Sequence, residues 1–157
     1  MMINCDPFDN DLMLHQLITE FSAGPSGIYR QVYLYGDQAK TAYTAAKLLC
    51  AYSEAHPDAS IISQTCHFFA IGVVSALMRG TFTEYVKAFN DYDLIILRNV
   101  ARIAGSKALM DQLYLILDRR LERHFPFLII ERTAPAAIPG LPPQVRAIFE
   151  GMLLWKL

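Results

Sequence analysis

The residues best suited by type to handle phosphate are Gly36, Lys40 and Thr41, which follow the apolar run Val32-Tyr33-Leu34-Tyr35. A phosphate loop of the form GxxxxGK[ST] wraps its ligand in backbone N–H groups. Its lysine reaches the outer phosphates and its hydroxyl serves Mg²⁺. Here three residues separate Gly36 from Lys40 instead of five, and Ala39 stands where the second glycine belongs. A loop that short cannot build the same cradle of N–H groups. A helix start still attracts anions. The expectation is therefore that Thr41 caps the helix, Lys40 lies in solvent, and a free inorganic anion is taken there more readily than ATP.

Other chemistry-bearing types are dispersed. His15, His56, His67 and His124 have no carboxylate or cysteine at ligand spacing, so no metal site is expected. Cys5, Cys50 and Cys66 form no CxxC pair and read as reduced, intracellular thiols. Asp37 has no partner that would make it a nucleophile, and no Ser/His/Asp constellation can be placed. The run Arg119-Arg120-Leu121-Glu122-Arg123-His124 closes a helical stretch, where cations complement the dipole. The functional alternative is a contact of Arg119, Arg120 and Arg123 with single-stranded DNA. Glu122 and the formal net charge of −1 argue against it.

These residues must be positioned by alternating strands and helices. Apolar runs occur at Val32–Tyr35, Ser60–Ser63, Leu94–Leu97, Phe127–Ile130 and Met152–Trp155. Runs without polar alternation are buried on both faces, as in a parallel sheet covered by helices. Helical periodicity fills the gaps: Asp11–Phe21, Thr41–Tyr52, Phe68–Met78 and Ser106–His124, with Thr81-Phe82-Thr83-Glu84 reading as a capping box. Phe68–Met78 is apolar nearly all round and is expected in the core or in an interface. The 157 residues suit one domain, 1–157, and 54% hydrophobic with 18% charged residues excludes disorder. No apolar run reaches the roughly 18 residues of a membrane span, and the N-terminus lacks the pattern of a secretory signal. A cytoplasmic location follows as the expectation.

The order of the pieces carries a resemblance. Asp9-Asn10-Asp11 precedes a helix, and Val32–Gly36 leads to Lys40-Thr41. His56-Pro57-Asp58-Ala59 comes before the second strand. Ala76-Leu77 and Gly80 are followed by Tyr85 and Phe89, then by Asp93–Leu97 and Ile103-Ala104-Gly105. Ile138–Leu141, Val145-Arg146 and Phe149-Glu150 close the series. In this co-linear order the chain resembles the AAA+ core of the DnaA/Hda replication-initiator family over nearly its whole length. The resemblance implies an α/β three-layer αβα sandwich of the P-loop NTPase (ASCE) type. Its sheet would be five-stranded and parallel, in the order 5-1-4-3-2.

Against the family pattern, the departures define the functional expectation. The acidic pair that follows the family's Walker B strand, one residue for Mg²⁺ and one for the attacking water, is replaced by Arg98 and Asn99. The finger arginine's position holds Ile148, with Arg146 matching its neighbour. The fourth strand ends in Glu131-Arg132 rather than small polar sensor residues. With the sequence ending at Leu157, the family's lid domain is expected to be absent. Arg98 and Glu131 are expected side by side as a charge pair filling the vacated metal site. The alternative is a metal-free anion pocket of Arg98 with Lys40. Gly36, Lys40, Thr41, Arg98, Asn99 and Glu131 then form a degenerate phosphate site with no cofactor and no catalytic residue. The expected protein is a non-hydrolysing DnaA/Hda-like interaction or regulatory factor in bacterial replication initiation. Its partners would be the initiator, the sliding clamp or helicase machinery, or further copies of itself. The competing readings are a weak or atypical ATPase using Lys40, and a single-stranded-DNA accessory module with a basic stripe through Arg98, Arg102 and Lys107.

Overall fold

The computed structural model describes residues 2–3 and 10–157. Cys5 and Asp9 lie outside the described residues. The strands are β1 (Met2–Ile3), β2 (Gln31–Tyr35), β3 (Ile61–Thr65), β4 (Leu94–Arg98), β5 (Phe127–Glu131) and β6 (Leu153–Lys156). The helices are α1 (Asn10–Ser22), α2 (Gln38–Ala55), α3 (Cys66–Arg79), α4 (Phe82–Asp91), α5 (Lys107–Glu122) and α6 (Pro143–Glu150). All strands are parallel, in the order β1-β6-β2-β5-β4-β3. Leaving β1 aside, this is the anticipated 5-1-4-3-2 arrangement. A sixth strand, β1, pairs with β6 at the edge; its two residues carry no periodicity from which the sequence could show it.

Side chains alternate across the sheet, and each face has its own core. Val32, Leu34, Ile96, Leu128 and Trp155 pack against Leu17 and Phe21 of α1 and Leu48 and Tyr52 of α2. Tyr33, Ile95, Leu97, Phe127 and Ile129 pack against Phe69 of α3, Phe89 of α4, Leu113 and Leu117 of α5, and Phe149 of α6. Ser106 caps α5 and Thr65 caps α3 through their hydroxyls. Thr81 occupies the cap position of α4 without a side-chain hydrogen bond, so the expected capping box does not form.

Arg120 corrects the reading of the basic run. It is only 1% exposed, with Nη1 donating to the Tyr92 carbonyl at 2.7 Å. Nη2 donates to the carbonyls of Asp93 at 2.9 Å and Pro126 at 2.7 Å. The guanidinium therefore ties the start of β4 to the start of β5 and cannot meet a nucleic acid. Burial draws its pKa down to about 10, so it remains charged at neutral pH. Arg123 stacks over Phe125 at 5.0 Å, and Arg119 is exposed. Lys107 forms a surface ion pair with Asp111 at 2.7 Å.

Removing the Arg120 guanidinium would strand three carbonyls beneath the sheet. Arg120→Ala should cost about 3 kcal/mol in urea unfolding, whereas Arg119→Ala should stay within about 0.5 kcal/mol. Equal effects for the two variants would contradict this role.

Candidate functional site

The start of α2 is closed by groups of the protein itself. Asp37, not Thr41, is the N-cap: its carboxylate accepts from the Lys40 N–H at 2.9 Å. An anion thus already sits on the helix dipole. Thr41 lies one turn inside and buried, with its hydroxyl donating to the Gln38 carbonyl at 3.1 Å. Gly36 adopts φ +118°, and a Cβ there would run into the Leu157 carbonyl oxygen. The Asp37 N–H donates to that same oxygen at 3.0 Å, and the Leu157 N–H donates to the Tyr35 carbonyl at 2.8 Å. The N–H groups of Asp37 and Lys40, which would face a phosphate, both have internal partners. An anionic phosphate at this helix start would meet the Asp37 carboxylate and find two of its N–H donors already spent, which disfavours a magnesium triphosphate.

The register of β4 and β5 decides the fate of the expected charge pair. The strands are neighbours, but Arg98 stands opposite Ile130, and Glu131 stands opposite Tyr35 of β2. Arg98 therefore projects to the α1/α2 side with Ile96, while Glu131 projects to the other side with Phe127 and Ile129. No salt bridge joins them among the described residues. Glu131 is buried, and its Oε1 accepts from the Ala101 N–H at 2.9 Å, bracing the turn after β4. Its Oε2 accepts from the Arg132 N–H at 3.3 Å. Asn99 makes the turn possible by adopting the left-handed conformation, φ 62°, which asparagine tolerates. Burial raises the Glu131 carboxyl above its ordinary value, against the backbone hydrogen bonds and Arg132, which lower it. Burial also pushes the Cys66 thiol up to about 12, with Glu131 adding to the shift.

The alternative anion pocket is also rearranged. A cavity of about 420 Å³ opens between α2 and the carboxyl ends of β3, β4 and β5. Arg98 and Arg132 line it, as do Thr41, Ser63 and Thr65. Lys40 is absent from its lining. It borders a separate hollow with Tyr43 and Trp155 on another side of α2. The cation that shares a cavity with Arg98 is Arg132, not Lys40. Arg146 is half-buried on α6, and Ile148 packs against the α3–α6 core from the same helix. Strand parity could have placed Arg132 beside Arg98, and an aspartate just before a helix is itself an N-cap signal. No local signal in the sequence reveals the closure by Leu157.

A further feature lies on α3. Five of the nine exposed large apolar side chains among the described residues belong to it: Phe68, Ile71, Val74, Leu77 and Met78. The helix buries Phe69, Val73 and Ala76 and leaves the opposite face open, with Met78 84% exposed. Phe68–Met78 is thus core on one face only.

A parallel sheet in this order, covered by helices on both faces, is the α/β sandwich fold seen in AAA+ cores. Within that class, its fold is that of the core domain of the replication initiator DnaA. It matches domain III of DnaA from Thermotoga maritima with 16% identity over 99% of this chain and 64% of that one, TM-score 0.85. AMPPCP-bound DnaA from Aquifex aeolicus matches with 17% identity over 98% of this chain and 48% of that one, TM-score 0.83. The DnaC helicase loader matches with 13% identity over 99% of this chain and 93% of that one, TM-score 0.70. This chain spans about half the length of the DnaA chain bound to AMPPCP and single-stranded DNA, covering 45% of it. No protein-family model matches the sequence. No curated protein matches it either.

Two outcomes follow from this geometry. Asp37→Ala should lower unfolding stability by about 1 kcal/mol, the usual cost of losing an N-cap, and a neutral result would mean that the carboxylate does not hold the helix start. For Glu131, the raised carboxyl means that the native state binds a proton more tightly than the unfolded chain does. The stability this lends is complete below the ordinary glutamate range and is lost as pH rises through the raised value. Glu131→Gln should therefore gain on the wild type as pH increases from about 4 to about 8 in urea melts. Parallel pH profiles would contradict the assignment.

Proposed function

We propose that this protein is a non-hydrolysing AAA+-fold interaction factor acting in bacterial DNA replication initiation or helicase loading. The observation that carries the reading is an AAA+ fold whose helix start is occupied by Asp37 and Leu157, and the resemblance aligns Arg98 with the metal's carboxylate. A guanidinium repels a divalent cation, and no carboxylate is left on that strand end to orient water. What remains is a scaffold that can pack against protein surfaces.

The open face of α3 supplies such a contact. Burying a fully exposed aliphatic side chain gains about 1.5–3 kcal/mol, so covering several partly exposed ones is a substantial driving force. The structural relatives include a replication initiator and a helicase loader, which supports a partner in the replication machinery: the initiator, a helicase component or, from the resemblance alone, the sliding clamp. Assembly of several copies would use the same scaffold. No helix among the described residues is long and apolar enough to cross a membrane, and action in the cytoplasm fits this reading.

The test is affinity capture from the native cell with mass spectrometry, repeated with Val74→Glu and Met78→Glu. Both positions are exposed, so the variants should fold. The expected result is recovery of a replication initiator, clamp or helicase-loading protein, lost in both variants. Recovery of no replication protein would defeat the proposal. Capture unaffected by the variants would remove α3 from it.

A further inference from the structure

We propose that the cavity between α2 and the ends of β3, β4 and β5 binds a small organic dianion, either a phosphate monoester or a dicarboxylate, clamped between Arg98 and Arg132. The cavity borders the first turn of α2, where Gln38 and Thr41 line it, and the proposal does not depend on the interaction reading above.

The argument begins with charge. Arg98 ends β4, and Arg132 follows the end of β5. Both line one cavity, both are exposed, and neither takes part in a salt bridge among the described residues. The one acidic residue along the lining is Glu131. Its oxygens are engaged by backbone N–H groups, and its strand position directs it to the opposite face. Two guanidinium groups therefore line the cavity against a single buried carboxylate, Glu131, whose oxygens are held by backbone N–H groups. An anion bound in the cavity would meet both cations. Guanidinium forks match the oxygens of a carboxylate or phosphate in bidentate geometry.

The rest of the lining specifies the body of the ligand. Ser63 and Thr65 line the cavity from β3, opposite Ile96 and Arg98 in register, and can supply hydroxyl contacts. Deeper walls are apolar: Ala45, Leu49, Ile96 and Ile130. A volume of about 420 Å³ lies within the usual range for small-molecule sites. Charged at one side and apolar at depth, it suits a molecule with one dianionic head and a small hydrocarbon body. The lining offers no further cations for a chain of phosphates, and Lys40 lies elsewhere.

Isothermal titration of the full chain tests this with phenyl phosphate, succinate and inorganic phosphate, and with benzyl alcohol as the uncharged control. Saturable one-to-one binding is expected for phenyl phosphate or for succinate, tighter than for inorganic phosphate, with none for benzyl alcohol. Whichever of the two binds identifies the headgroup. Arg98→Gln and Arg132→Gln should each weaken binding about tenfold or more, and Lys40→Gln should leave it unchanged. Arg98→Lys, which keeps the charge but loses the fork, should fall between. Thermal melts establish that the variants are folded. The proposal is overturned if neither anion saturates, if Arg98→Gln or Arg132→Gln binds like the wild type, or if Lys40→Gln abolishes binding.

Discussion

The carboxylate of Asp37, set on the first turn of α2, is the contact around which the functional reading turns. A helix start in this fold is a place where backbone N–H groups point outward and the dipole favours negative charge. Once a side chain of the same helix supplies that charge, a phosphate must displace it before binding. The neighbouring strand end adds a second closure. Gly36 approaches the Leu157 carbonyl so closely that only glycine fits, and the Asp37 N–H is spent on that carbonyl. In the short loop, the Gly36 and Asp37 backbone is taken up by contacts with Leu157.

Parallel register is the second constraint. Neighbouring strands bring their ends together, but a shift of one residue sends a side chain to the opposite face of the sheet. Arg98 and Glu131 illustrate this. They lie on adjacent strands at the same end, yet one serves the cavity beside α2 and the other braces a buried turn on the far face. Arg120 plays a comparable structural part at the opposite end of the sheet, gathering carbonyls where β4 and β5 begin. Charged residues that look exposed and functional in a linear reading are here divided between scaffold and surface.

The sheet was legible because its central strands are continuous apolar runs and its helices carry clear periodicity. All five long strands fall within one or two residues of their expected limits, and the αβα layering with order 5-1-4-3-2 holds. Strand β1 was hidden, since an edge pairing of two residues leaves no pattern. The site was less legible. Thr41 looked like a cap because it follows Lys40, but the helix begins earlier, at Gln38, and places Asp37 at the cap instead. Arg120 looked solvated because its neighbours Arg119 and Arg123 are, whereas helical rotation turns it alone beneath the sheet. Pairing Arg98 with Glu131 required the register, which no local segment encodes. In α3 the all-round apolar composition was plain, but only the packed structure separates its core face from its open one.

Direct binding and turnover of magnesium ATP test the central claim, that the start of α2 is closed to a triphosphate. The account predicts no saturable binding of magnesium ATP that depends on Lys40, and no phosphate release above the buffer rate. Micromolar binding abolished by Lys40→Ala, with accompanying hydrolysis, would contradict it.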